Sequence, residues 1–194
     1  MGRSGRRTAA TLPTVAAARW IAAQAGRLPG ARRGLRAANP LLARLYPTPK
    51  VDVRAVIVRD GDVLLVRHAD NGRWAPPGGF ADIGEAPATS AEREVLEETG
   101  RRVRAVKLLA VIDCPSRRAP ATRANVYRLF FLCAEIADPR PRRPDHEVDA
   151  QAFFAADGLP PLCPKRFTTE QAALVYRHVA EPERPTDFAV PSSP

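Results

Sequence analysis

The chain has 194 residues, 45% of them apolar, enough for one globular domain of ordinary size with a small appendage. No apolar run approaches the roughly 20 residues of a membrane-spanning helix, and three scattered cysteines without a C-x-x-C pattern exclude a disulfide scaffold and fit a reducing cytoplasm. The net charge of +9 is concentrated: residues 1–50 hold nine Arg and Lys50 with no acid, so they carry +10 and the remainder −1.

Residues 1–13 lack apolar periodicity and read as a disordered basic start. The Arg-rich, acid-poor composition resembles a transit peptide, but a high-GC arginine bias explains the same residues. Arg19 interrupts the apolar stretch Val15–Ala23 and so argues against a secretory signal. Residues 14–46 read as a helical segment, with short helices over Thr14–Gln24 and Arg33–Leu45. Trp20, Ile21, Leu41, Leu42 and Leu45 cannot form a core alone, so the segment is expected to pack against a second subunit and make a homodimer.

The domain proper spans 47–181. Val51–Val58 alternates as a strand, Asp60-Gly61 signals a hairpin turn, and Val63–Val66 returns. Asn71-Gly72 marks another turn, followed by Trp74 and the Pro76-Pro77-Gly78-Gly79 loop. Residues 86–99 read as a helix, with Pro87 in its first turn and Gly100 at its end. Val103–Ile112 and Val126–Ile136 are strands, separated by a basic loop over Pro115–Ala124. A Pro- and Arg-rich loop over Asp138–Pro144 leads to Glu147 and a short strand at Gln151–Phe154. Thr168–Val179 is a closing helix that Thr168 can cap, with Glu170 near its start, and residues 182–194 read as a loose tail. Strands mixed with few helices give an α+β chain or mixed-sheet sandwich.

The chemistry concentrates in Gly79–Arg101, GFADIGEAPATSAEREVLEETGR. On a helix Glu94 and Glu98 are i and i+4 and project from one face, with Glu97 at its border. Like charges so placed repel. A hard divalent cation, Mg²⁺ or Mn²⁺, would offset that repulsion while sharing its shell with phosphate oxygens. Arg93 can reach back to Glu85 across the loop, and the glycines let backbone approach a phosphate or metal closely.

This segment resembles the Nudix box, G-x5-E-x7-R-E-U-x-E-E-x-G-U, with U a bulky apolar residue. Gly79, Glu85, Arg93, Glu94, Val95, Glu97, Glu98 and Gly100 fall on the pattern, whereas Arg101 stands where an apolar residue belongs. YPTPKVDVRAVIV, LLVRH and FFAADGLPPL are similar to a subgroup described as ADP-ribose or CDP-choline pyrophosphatases. The resemblance implies a Nudix α/β/α sandwich with a mixed sheet. It implies that Glu94 and Glu98 hold metal, with Glu97 a further ligand or base and the Gly79 carbonyl an additional ligand. Arg93 and Glu85 would hold loop to helix. Glu147 is a candidate base.

For the substrate, Trp74 could stack on a nucleobase or pack beside the glycine loop. Arg54, Arg67 and His68 could meet phosphates or be ordinary solvated strand residues. His146 and His178 show no ligand spacing. Three functions stay open: hydrolysis of a nucleoside diphosphate linked to another group, sanitation of nucleoside triphosphates, and nucleic-acid binding or regulation through the basic start.

Overall fold

The computed structural model describes residues 49–114, 126–137 and 146–189. All belong to the second of the two units into which the chain divides, Thr48–Pro194. The expected N-terminal helices, the Pro115–Ala124 and Asp138–Pro144 loops and the last residues lie outside this description. Among the described residues no helix is long and apolar enough to cross a membrane.

A hairpin opens the unit. β1 (Lys50–Arg59) turns through Asp60 and Gly61, both at positive φ (53° and 89°), into β2 (Asp62–His68). Two consecutive left-handed residues match the right-handed twist of the flanking strands. β3 (Trp74–Ala75) follows, then α1 (Pro87–Thr99), β4 (Val103–Cys114), β5 (Val126–Glu135), β6 (Val148–Phe154), α2 (Thr169–Ala180) and β7 (Asp187–Ala189). The sheet order is β3-β2-β1-β5-β4-β7, with β6 also on β2. β1 runs parallel to β5, and β4 parallel to β7, while the other pairs are antiparallel. The sheet is therefore mixed, as expected.

Helices cover the two faces. α1 buries Ala91 and Val95 against Val53, Ala55, Ile57 and Leu64. α2 buries Ala172, Leu174 and Val175 against Val56, Leu65, Phe130 and Phe167. α2 starts on a capping box in which Thr168 accepts from the Gln171 N–H and the Gln171 side chain accepts from the Thr168 N–H.

The expected loose tail needs correction. Asp187–Ala189 pairs with β4, and Asp187 binds Arg184 (3.0 Å) and the buried His178 (3.0 Å). The Lys107 ammonium also donates to the carbonyls of Pro182 and Arg184. A polar, Pro-containing stretch carries no strand periodicity of its own, so its order comes from the edge of β4 and these ion pairs.

Candidate active site

β1 pairs with β2 only near the hairpin, at Val58↔Val63 and Arg59↔Asp62. The rest of that edge is taken by the glycine loop. The Val53 N–H donates to the Gly79 carbonyl (2.8 Å), Ala55 to Pro77 (2.9 Å), and Ala81 to Val51 (2.9 Å). Gly78 sits at φ 148°, where an added Cβ would lie 2.0 Å from the Val53 oxygen, so no other residue fits. At Gly79 a Cβ would meet the Glu94 carboxylate at 2.8 Å. Both glycines thus let the loop lie flat between β1 and the acids of α1.

α1 supplies those acids. Glu98 is 6% exposed and its Oε2 accepts from the Gly78 N–H at 3.0 Å. Burial pushes its carboxyl up to about 7, with the Glu94 and Glu147 charges adding to the shift and the Gly78 bond and Arg54 opposing it. Burial likewise raises Glu94, while Arg93 pulls the other way. Glu97 stands outside on the half-exposed flank. The expected helical geometry holds: Glu94 and Glu98 face the loop, and Glu97 borders them.

Arg93 organises the helix start. Its guanidinium holds Glu85 at 3.2 Å, Glu94 at 2.8 Å and Glu97 at 3.0 Å. Ser90 adds a hydroxyl bond to Glu85 at 2.8 Å. Although burial works against it, these bonds keep the Glu85 carboxyl below its usual range. Arg101, out of place in the motif, bonds Gln151 and Glu135 and lies over the Phe153 ring at 5.6 Å.

Arg54 is buried rather than solvated. It donates to the Gly78 carbonyl (2.8 Å) and pairs with Asp52 (2.9 Å), and Asp52 also binds buried Arg128 at 2.6 Å. Arg128 continues to Gln171 and the Lys165 carbonyl. This chain runs from α2 across the face of the sheet that α2 covers to the glycine loop. Asp52 and Arg128 were not singled out from the sequence, because polar residues alternating with apolar ones read as a wet strand face.

Arg67 pairs with Asp149 (2.7 Å) and lies 5.9 Å from the Trp74 ring centre. Trp74 packs edge-on to Phe154 at 4.9 Å, within the α2-side core. Glu147 is exposed before β6, and its carbonyl accepts from the Ala69 N–H (3.0 Å). Its charge reaches Glu98.

The fold agrees with the comparisons. The family model of the NUDIX domain matches residues 48–177. The chain belongs to the Nudix family. As a Nudix hydrolase, it acts on pyrophosphate bonds. It is 37% identical over 143 residues to "Putative ADP-ribose pyrophosphatase YjhB" of Bacillus subtilis, covering 74% of this chain and 68% of that one. It resembles the crystal structure of an ADP-ribose pyrophosphatase from Streptococcus suis with TM-score 0.60 and 33% identity, over 74% of this chain and 99% of that one. It also resembles a UDP-X diphosphatase with TM-score 0.64 and 31% identity, over 84% and 76% of the two chains.

Proposed function

We propose that the protein hydrolyses a nucleoside diphosphate linked to a second group, of the ADP-ribose or CDP-alcohol type, to a nucleoside monophosphate and a phosphorylated product. The observation that carries this reading is buried Glu98 and half-buried Glu94 together against the Gly78-Gly79 loop. Two carboxyls raised by burial lack full compensation inside the protein, and a hard cation among oxygen donors supplies it. The names of the relatives, which cleave ADP-ribose or UDP-linked diphosphates, support the substrate class.

The donor set fits a divalent ion, Mg²⁺ or Mn²⁺. Glu94 and Glu98 would hold it, with Glu97 and the Gly79 carbonyl as further oxygens. Among the described residues no three acidic, His or Cys side chains already converge on a point. The reason is local: Arg93 draws the Glu94 and Glu97 carboxylates to itself. When bound, such an ion polarises the phosphoryl oxygens and lowers the pKa of bound water.

The chain's own groups do the rest. The Gly78 N–H fixes one oxygen of Glu98. Arg93 and Glu85 hold the loop to α1. Water adds to one phosphorus, the bridging P–O bond breaks, and the water's proton passes to a carboxylate. Glu97 and Glu147 are the two candidates for that base, both exposed enough to return the proton to solvent.

A panel of nucleotides with Mg²⁺ or Mn²⁺, read by product masses, tests the reading. Two monophosphates are expected; a monophosphate with pyrophosphate from a nucleoside triphosphate would favour sanitation instead. No divalent-dependent cleavage of any nucleotide would refute both. The homodimer and the cytoplasmic location belong to the same proposal, and a monomeric mass at high concentration would refute the dimer. Nucleic-acid affinity lost on deleting residues 1–45, without hydrolysis, would favour the binding alternative.

A further inference from the structure

Phe80 follows the two glycines of the site and is 53% exposed, although its backbone is fixed. It bridges Asp52 of β1, and both its neighbours are bonded to that strand. The Gly79 carbonyl accepts from the Val53 N–H (2.8 Å), and the Ala81 N–H donates to the Val51 carbonyl (2.9 Å). The Phe80 N–H and carbonyl therefore point away from β1, to the outer edge of the loop. The ring belongs to neither apolar core, and the Lys50 ammonium lies over it at 5.4 Å, so its π-face is accessible. A large ring on fixed backbone, left to water, gains from being covered.

The place of the ring along the site decides what covers it. The acids follow one another along the loop: Glu98 accepts from the Gly78 N–H at 3.0 Å, and a Cβ on Gly79 would meet the Glu94 carboxylate at 2.8 Å. Phe80 comes next, one Cα step of about 3.8 Å further on. At the Glu98 end opens a cleft lined by ionisable groups, His68, Asp70, His146, Glu147 and Arg166, of which Glu147 acts on Glu98 through its charge. A diphosphate held at Glu94 and Glu98 therefore sends one half toward that cleft and the other past Phe80. We propose that Phe80 is the platform on which the nucleobase stacks. This rests on the proposed function and says where its nucleoside half lies. Strand alternation turns the ring to the side of Asp52 and Lys50, so the pentose passes over the outer edge of the loop between the acids and the ring. The other large rings are placed elsewhere: Trp74 packs on Phe154, and exposed Phe188 sits on β7 at the far edge of the sheet. Every base has a π-face, so the platform takes adenine and cytosine alike.

The test compares Phe80→Leu, Phe80→Trp and Ile83→Ser with the wild-type enzyme on ADP-ribose and CDP-choline. Phe80→Leu keeps an apolar side chain and loses the π-face, so kcat/KM should fall about tenfold on whichever conjugates are cleaved, mainly through KM. Phe80→Trp should stay within about twofold of wild type. Ile83, 87% exposed on the same loop, controls for a general loss of apolar surface, and Ile83→Ser should leave kcat and KM unchanged. An unchanged KM in Phe80→Leu overturns the proposal, as does an equal loss in Ile83→Ser. Phe80→Trp also reports binding without turnover. Adenosine monophosphate should quench its emission beyond any change in the wild type, which has two tryptophans of its own, and ribose 5-phosphate should not. If no conjugate is cleaved, the proposed function falls, and this titration still decides the ring: equal quenching by both ligands, or by neither, overturns the assignment.

Discussion

The two faces of β1 are built from alternate residues of one strand, yet they work by different physics. Toward α1 it presents Val53, Ala55 and Ile57, buried among Ala91, Val95 and Leu64. Toward α2 it presents Asp52 and Arg54, equally buried, in an ion chain with Arg128 and Gln171. The apolar face backs the helix that carries the acids, and burial of area holds it. The charged face reaches the other half of the site, through the Arg54 bond to the Gly78 carbonyl. Apolar contacts fix a distance between elements, whereas hydrogen bonds fix the direction of a particular peptide. The Gly78 peptide needs direction because its N–H holds Glu98.

The sharpest way to break that contrast is Asp52→Ala. It leaves two buried guanidinium groups without their shared counter-charge, and stability should fall by about 3–5 kcal/mol in urea unfolding. Turnover of the molecules still folded should fall as well, because Arg54 no longer holds the loop. Ile57→Ala, on the opposite face, should lose about 2–5 kcal/mol through the cavity it leaves. Turnover per folded molecule should then stay close to wild type. Equal effects of the two variants on turnover would erase the distinction between the faces.

Glu98→Gln sharpens the comparison at its smallest scale. The amide oxygen can still accept from Gly78, so the fold should persist while turnover drops more than tenfold, about 1.4 kcal/mol of transition-state stabilisation. Near-normal turnover would refute a liganding role. The same variant has a pH signature. The folded-state pKa of Glu98 lies near 7, above the ordinary 4.5, so the folded protein favours the protonated carboxyl. Metal-free protein should therefore be fully stabilised by this group below about pH 4.5 and lose that contribution as pH rises through about 7. In EDTA at pH 8, Glu98→Gln should be more stable than wild type, by on the order of 1–3 kcal/mol. An unchanged pH dependence would place Glu98 in contact with solvent.

Much of this was legible from residue order. Asp60-Gly61 carries the hairpin because two positive-φ residues are what the turn demands. Glu94 and Glu98 share a face because a helix repeats every 3.6 residues. Thr168 caps α2 because its hydroxyl can reach a free N–H at the helix start. Less legible were residues whose environment depends on distant chain. Arg54 reads as open to solvent or phosphate until the Pro76 and Gly78 carbonyls and Asp52 close around it. Trp74, which could have stacked on a base, packs against Phe154, eighty residues on in sequence. His68 shows nothing in sequence of the cleft formed with Glu147 and Arg166.

The sequence by itself determined the local geometry: where the strands turn, where α1 begins and ends, and which acids it aligns toward the glycine loop. These follow from backbone preferences and periods that span a few residues. Only the tertiary structure decided which charges are desolvated, since burial depends on what packs on top of a residue. That is why Glu98 lies buried with its carboxyl raised while Glu97 stands exposed, and why two arginines share one aspartate beneath the loop.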